Sequence, residues 1–458
     1  MDQLQQFDFF PLQFDDNGKL ASAGTWKAFK DRVAAANAPT DAIFIAHGFR
    51  NDEGEARSLY SEFLKNFRGS TSQGPVAAPL AGRRFIVGGV FWPSKAFREE
   101  FGEAEANDAG GVQSSGAGGD DAAGLDSVCA QLDELRELAP DAAGRKRIDE
   151  AKALVPSLEN DPDAQDKFAE LVLSIVDDRN LDSSEGFDRV RSQPGHELLD
   201  KLRVPIILPT VKRDDDGGSM SLDSGLADAS AQGGTQGIRG FFGSVAGRVG
   251  QFLNLTSWYV MKNRSGDVGE HGVAPCVREL RRDHPNLRIH LVGHSLGGRL
   301  MAACAKALAQ PPAVKVDSLT LLQAAFSHFG LSADNRDGSP GFFRDVIAKK
   351  VVTGPMVATF SFQDTVVGKA YAISSRLAGD NTRAVGDAND PYGGIGRNGA
   401  QELKEMASEQ LHDVGAPYTF KTEILQCLDG SGGLITSHGD VRNERVTWAF
   451  ASAVAATK

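Results

Sequence analysis

Cysteine is scarce in this chain of 458 residues, and its four cysteines lie far apart. They are Cys129, Cys276, Cys304 and Cys427. None belongs to a C-x-x-C pair, so the sequence indicates neither a zinc cage nor a disulfide framework. This usage is typical of a reducing compartment. No other pattern calls for a metal ion or an organic cofactor, and we expect none.

Basic residues are also few relative to acidic ones, 49 against 61, which gives a formal net charge of −12. An acidic surface repels phosphate backbones, so we expect no nucleic-acid partner. The same charge opposes a purely electrostatic attachment to anionic lipids, but a local apolar patch can still insert into a membrane surface. A transient contact with a membrane surface therefore stays open.

Long hydrophobic runs are missing as well, since no stretch of about 18 apolar residues occurs in the chain. The amino-terminal segment lacks the basic region followed by an apolar region that marks a secretory signal. We expect a cytoplasmic protein, or one exported by a route that leaves no cleavable signal. Hydrophobic residues still make up 41% of the chain, which is enough to build a sizeable core.

Strand and helix patterns alternate in two parts of the chain. Residues 41–46 predict a buried strand, residues 53–67 an amphipathic helix, and residues 84–92 a second strand that ends before Pro93. The later part predicts strands at 287–292, 316–325, 355–362 and, more weakly, 418–425, with helices at 296–309, 367–377 and 440–454. This order predicts an α/β fold with a mostly parallel central sheet flanked by helices.

The alternation is interrupted between residues 94 and 255. Segments rich in Gly, Ser and Asp at 109–124 and 213–240 are typical of linkers, with helical patterns at 125–138 and 168–176 between them. We therefore predict a core formed by residues 1–93 and 256–458, with a large, mainly helical insertion at 94–255. Residues 241–259 carry an apolar stripe at helical spacing, which predicts docking on the core or on a lipid surface. The stripe consists of Phe241, Phe242, Val245, Val249, Phe252 and Leu253.

The strongest motif is the segment 293–298, which reads Gly-His-Ser-Leu-Gly-Gly between a predicted strand and a predicted helix. It matches G-x-S-x-G in the strand–turn–helix context that the motif requires. Gly293 and Gly297 lack side chains, so the strand and helix can approach each other around a sharp turn. The turn lifts the hydroxyl of Ser295 clear of the sheet, and we predict Ser295 to be a nucleophile.

Through this motif the chain resembles the α/β-hydrolase superfamily, of the serine lipase and esterase type. Two weaker matches support the resemblance: the loop at His47 and Gly48 after an early strand, and a Phe-Trp-Pro-Ser strand end at 91–94. The resemblance covers residues 41–93 and the chain from about residue 256 onward, and the insertion has no counterpart that we recognise. It implies the α/β-hydrolase fold and a serine, then an acidic residue, then a histidine along the chain.

This order restricts the base to the histidines that follow Ser295, because the base must also follow the acid. They are His328, His412 and His438. His328 comes too early in the chain. His438 is preferred because it lies in a loop of small residues just before the last predicted helix. His412 ends a helical-looking run at 400–411 and is the alternative base.

The acid is expected at the carboxyl end of a strand, where a side chain can face the site. Asp364 follows the predicted strand 355–362 directly and is our first choice. The same carboxylate is also a good amino-terminal cap for the next helix, which is the competing interpretation. Asp334 and Asp440 are the alternatives.

An oxyanion hole needs two backbone donors aimed at the developing negative charge. The N–H group of Leu296 is the first candidate. The resemblance makes the N–H group of Phe49 the second, in a loop that His47 and Gly48 order. The competing interpretation is a glycine turn that serves only the fold.

Together these residues predict a serine hydrolase that cleaves carboxylic esters through an acyl-enzyme intermediate. The expected partner is a small-molecule or lipid ester substrate. Two alternatives remain: a peptidase or amidase with the same triad, and a non-catalytic binding protein on a hydrolase fold. No heptad repeat or other signal of self-association is apparent, and the oligomeric state stays open.

Overall fold

The computed structural model describes residues 2–49, 51–94, 121–177, 182–204, 206, 208, 244–379 and 387–458. Within these residues one nine-stranded sheet carries helices on both faces. The predicted fold class, α/β with a mostly parallel central sheet flanked by helices, is therefore confirmed. Most of the two predicted linkers, residues 109–120 and 213–240, lies outside the described residues.

The sheet is parallel except at one edge. Its strands are β1 (Asp2–Leu4), β2 (Phe7–Gln13), β3 (Asp41–Ala46), β4 (Phe85–Phe91), β5 (Arg288–His294), β6 (Ser318–Leu322), β7 (Met356–Phe360), β8 (Met406–Gln410) and β9 (Leu425–Asp429). Their order is β1-β2-β4-β3-β5-β6-β7-β9-β8, and only β1 runs antiparallel to its neighbour. The carboxyl ends of the parallel strands consequently lie along the same border of the sheet, which we call its carboxyl edge. The loops that follow the strands meet there.

The helices pack on the two faces of the sheet and also form most of the described insertion. They span Ala23–Val33, Glu53–Ser70, Ala77–Leu80, Asp121–Leu138, Ala142–Leu154, Pro162–Leu173, Phe187–Arg191, Gly195–Lys201, Val245–Asp267, Ala274–Asp283, Leu296–Leu308, Arg344–Ala348, Thr365–Leu377, Ile395–Asn398 and Glu444–Ala455. The helix Val245–Asp267 runs without a break through the predicted boundary between residues 255 and 256.

Strand β3 shows why the central strands are recognisable from their sequence. Ile43 and Ile45 face the core layer that contains the helices Glu53–Ser70 and Glu444–Ala455. Phe44, between them, faces the layer on the other side of the sheet. Successive side chains of a strand point to opposite faces, and here both faces are covered, so the strand is a continuous hydrophobic run.

The carboxyl-terminal part of the sheet corrects two predictions. The run 400–411 was expected to be helical but contains β8, and the predicted strand 418–425 is replaced by β9, which begins only at Leu425. Strand β8 is a partly exposed edge strand of sequence Met-Ala-Ser-Glu-Gln, so its conformation is set by pairing with β9 and not by hydrophobic alternation. Tyr418 stacks on His412 at 4.3 Å between ring centroids, outside any strand.

The described part of the apolar stripe packs inside the protein. Val249, Phe252 and Leu253 are buried in the main core cluster, while Phe241 and Phe242 lie outside the described residues. None of the helices in the described part of the chain combines the length and the apolar character needed to cross a membrane.

Candidate active site

Ser295 forms the turn between β5 and the helix Leu296–Leu308. Its backbone has φ 57° and ψ −124°, a conformation that is strained for a residue other than glycine. The turn is held by the sheet, since the Ser295 N–H donates to the Leu322 carbonyl and Ala325 N–H donates to the Ser295 carbonyl, both at 3.0 Å. Ser295 also lies at the amino end of a 13-residue helix, where the helix dipole favours negative charge.

The glycines around Ser295 are required by close backbone packing. A Cβ atom on Gly293 would lie 2.1 Å from the Gly297 carbonyl oxygen. A Cβ atom on Gly297 would lie 2.4 Å from the carbonyl oxygens of Ala46 and His47. Any side chain at either position would push the helix away from the sheet, so the turn can be this sharp only with glycine.

The loop after β3 approaches Ser295 closely. A Cβ atom on Gly48 would lie 2.8 Å from the Ser295 Cβ atom. The His47 ring stacks on Trp92, and its Nδ1–H donates to the Gly48 carbonyl at 2.9 Å. Burial lowers the pKa of His47 to about 4, so the ring is neutral at pH 7 and keeps this donor. His47 orders the loop.

Asn51 and Ser94 hold the next part of this loop. The Asn51 side-chain amide donates to the Phe49 carbonyl at 3.1 Å and to the Gly48 carbonyl at 3.3 Å. Ser94 Oγ donates in turn to the Asn51 carbonyl at 2.9 Å. The main chain around Phe49 is thus fixed beside the Ser295 turn.

Asp364 and His438 form a hydrogen-bonded pair at the same edge of the sheet. Asp364 follows β7 and is fully buried, and its Oδ2 accepts from His438 Nδ1 at 2.7 Å. Its Oδ1 accepts from Val367 N–H at 2.9 Å and caps the helix Thr365–Leu377. The carboxylate therefore caps the helix and also bonds to His438. The bond to Nδ1 favours the His438 tautomer in which Nε2 carries no proton.

His294 links this pair to the serine turn. Its ring lies 4.6 Å from the His438 ring, and its Nε2–H donates to the His438 carbonyl at 2.9 Å. Burial holds the pKa of His294 well below its ordinary value, so this ring is neutral. Within the described residues Ser295 Oγ and His438 Nε2 make no hydrogen bond to each other. Such bonds are often long in unliganded enzymes and tighten when substrate binds.

The alternative bases lie elsewhere. His412 follows β8 and its Nδ1 is 3.1 Å from the Pro417 carbonyl oxygen, where it stabilises a turn. His328 is fully buried after β6, and burial lowers its pKa to about 3. Neither ring makes a hydrogen bond to Asp364.

The two alternative acids, Asp334 and Asp440, form hydrogen bonds within their own turns. Asp334 Oδ1 accepts from the N–H groups of Arg336 and Gly338 on the surface. Asp440 Oδ2 accepts from the N–H and the hydroxyl group of Thr436. The carboxylate that is hydrogen-bonded to His438 is that of Asp364.

The insertion contacts the core next to this site. The Glu185 carboxylate accepts from Ser327 N–H, which follows β6, and from the Tyr371 hydroxyl, both at 3.0 Å. It also forms a fully buried ion pair with Lys262. Burial lowers the pKa of Lys262 to about 7, although Glu185 opposes this shift. Since Ser327 lies beyond the carboxyl end of β6, the insertion packs against the edge that carries Ser295.

Two residues near the pair were not singled out by the sequence. Gln323 follows β6, and its side-chain amide lies between Asp364 and Ser437. Arg397 donates to the Asp364 carbonyl at 3.2 Å and to the Phe362 carbonyl. The available signal for Gln323 was its place near the carboxyl end of the predicted strand 316–325. Arg397 had no comparable signal.

In the part of the chain that the structure describes, no group of three or more His, Cys, Asp or Glu side chains is arranged to hold a metal ion. Comparison of the chain with protein-family models, with curated proteins and with solved structures found no match.

Proposed function

We propose that this protein is a serine hydrolase that cleaves carboxylic esters, on a fold of the α/β-hydrolase type. One observation carries the proposal: Ser295, strained between β5 and a helix, shares a sheet edge with the bonded Asp364–His438 pair. A serine hydroxyl on a sharp strand–helix turn, near an imidazole that a buried carboxylate orients, is the arrangement that acyl transfer requires.

The proposed reaction has two halves. Ser295 Oγ bonds to the ester carbonyl carbon while His438 Nε2 accepts the hydroxyl proton. The imidazolium then returns this proton to the alcohol oxygen as the bond between carbon and that oxygen breaks. In the second half, water attacks the acyl carbon, His438 takes a proton from the water and gives it to Ser295 Oγ, and the acid leaves. Asp364 orients the ring throughout through its bond to Nδ1.

The negative oxygen formed in each half needs backbone donors. We assign this role to the N–H groups of Leu296 and Phe49. Leu296 is the first residue of its helix, where N–H groups have no partner within the helix. The close approach of Gly48 to Ser295, and the support of the loop by Asn51, favour Phe49 as the second donor.

We further propose that the insertion, residues 94–255, is a cap over the mouth of the site. The contacts of Glu185 with Ser327 and Tyr371 support this, because they lie at the carboxyl edge of the sheet. The substrate class is a small-molecule or lipid ester, and the predicted location is the cytoplasm.

Hydrolysis of p-nitrophenyl esters from acetyl to palmitoyl tests the proposal. S295A should lose about a millionfold in kcat. S332A is the matched control, since Ser332 is also buried but donates only to the Phe329 carbonyl. Equal ester activity of S295A and wild type would overturn the proposal. Cleavage of peptides without cleavage of any ester would favour an amidase, and a rate that rises with acyl-chain length would favour a lipase.

A further inference from the structure

Gln323 has an unusual backbone conformation for a buried polar residue. Its φ is 43°, in the left-handed region, and its side chain is fully buried. The conformation is held by Gln323 N–H, which donates to the Thr359 carbonyl at 3.1 Å. Gly396 packs closely against the Gln323 main chain, since a Cβ atom on Gly396 would lie 2.5 Å from the Gln323 carbonyl carbon. Strain of this kind persists only where the surroundings fix it, and it concentrates at functional sites.

The amide group of Gln323 contacts Asp364 and the backbone of the residue before His438. Its Nε2 lies 3.3 Å from Asp364 Oδ2, the same oxygen that accepts from His438 Nδ1. The same nitrogen donates to the Ser437 carbonyl at 3.0 Å, one residue before His438. One NH₂ group therefore connects the carboxylate to the backbone of the loop that carries the imidazole.

We propose that Gln323 is a positioning residue that holds Asp364 and His438 in the geometry that proton transfer from Ser295 needs. This inference depends on the proposed function. A second donor on Asp364 Oδ2 restricts rotation of the carboxylate, and the bond to Ser437 restrains the histidine loop. His294 also restrains this loop, through its bond to the His438 carbonyl.

The residue type matters because both bonds need a donor. Methionine has a similar shape and no donor, so it would remove both bonds at once. Glutamate keeps the shape but places a carboxylate beside that of Asp364, and the added negative charge favours the protonated form of His438. Among the described residues, the titratable and charged groups beside this pair include the neutral His294 and the Arg397 guanidinium, and Arg442 acts on His294.

The test compares kcat, KM and the pH profile of kcat/KM for wild type, Q323M, Q323E and Q426M on one ester. Q323M should lower kcat about tenfold to a hundredfold with little change in KM. Q323E should also move the acid limb of the profile to higher pH. Gln426 is the matched control, a buried glutamine on β9 whose side-chain nitrogen has no hydrogen-bond partner among the described residues. Q426M should keep both the rate and the profile.

The outcomes separate this inference from the proposed function. If turnover depends on Ser295 but both Gln323 variants keep the wild-type kcat and profile, Gln323 has no positioning role and the hydrolase proposal stands. If wild type shows no turnover that depends on Ser295, the proposed function is wrong, and the inference that depends on it falls too. Should Q323M fail to fold, Q323E carries the test, because it keeps the shape of the side chain.

Discussion

One aspartate–histidine pair lies at the amino ends of the strands and another at their carboxyl ends, and the two pairs differ in their surroundings. At the amino ends of the strands, His290 of β5 lies 2.9 Å from Asp41 and 2.8 Å from the Ser318 hydroxyl, and all three side chains are fully buried. At the carboxyl edge, His438 lies in a loop with 13% of its side chain exposed and bonds to the buried Asp364. Both sets contain the residue types of a catalytic triad.

The amino-end set is a structural network. Both nitrogens of the His290 ring are used, and Asp41 also pairs with the Arg83 guanidinium. Burial raises the pKa of Asp41, but the hydrogen bonds from His290 and Arg83 outweigh it and leave that pKa well below its ordinary value. Only the carboxyl-edge set lies beside a strained serine turn at a helix amino terminus. Serine, histidine and aspartate in contact do not make a site without such a turn and an approach for substrate.

Breaking the carboxyl-edge pair gives the largest expected effect. D364N should lower kcat about 10⁴-fold, because the amide no longer fixes the required His438 tautomer. The melting temperature should change little, since asparagine also caps a helix and keeps the shape. Ester kinetics and thermal unfolding on the same samples measure both. A folded D364N with wild-type kcat would mean that the pair has no catalytic role.

Breaking the amino-end pair should affect stability instead. D41N leaves the buried Arg83 and His290 without their carboxylate, and the free energy of unfolding should fall by about 3–5 kcal/mol. Urea unfolding gives this value, and kcat per folded molecule should stay at the wild-type level. If folded D41N lost activity, the pair at the amino ends of the strands would not be purely structural, and the prediction would be wrong.

The buried histidines and Asp41 should affect stability in different ranges of acidic pH. The pKa values of His47 and His328 lie at about 4 and about 3, below 6.5 in the unfolded chain, so the unfolded state binds more protons as the pH falls. Each ring should therefore cost up to about 1.4 kcal/mol of stability per pH unit from pH 6.5 down to its folded pKa. The lowered pKa of Asp41 acts only below about pH 3.8.

Urea unfolding at pH 7, 6 and 5 checks this slope. H328Q should show a shallower slope than wild type, because one proton-binding ring is removed. H412Q is the comparison variant, since it removes a histidine whose side chain is 30% exposed. Equal stability of wild type at pH 7 and pH 5 would contradict the assignment of neutral buried rings.

The sequence predicts the parts of this molecule that depend on local pattern. Strand β3 has the predicted bounds, and the strand–turn–helix around Ser295 is found within a residue or two, because buried strands and a glycine-rich turn leave a strong local signal. The pairing of Asp364 with His438 was expected from the residue order that the family resemblance implies, and the two side chains are hydrogen-bonded. Their catalytic roles remain predictions.

Other parts depend on residues that only the fold brings together. Strand β8 is polar and pairs at an edge, so no hydrophobic pattern marks it. The bridge made by Gln323 joins residues 323, 364 and 437, which are far apart in sequence. The contact of His290 with Ser318 arises from the register of β5 and β6, which a single sequence does not specify.

Labelling with a fluorophosphonate, followed by mass mapping of the modified peptide, tests the central claim most directly. The reagent forms a phosphorus–oxygen bond with an activated serine and releases fluoride. We predict a single adduct on Ser295, absent from H438A, and no adduct on Ser318 of the buried amino-end set. An adduct on another serine, or an unlabelled wild-type protein, would contradict the assignment of Ser295 as the nucleophile.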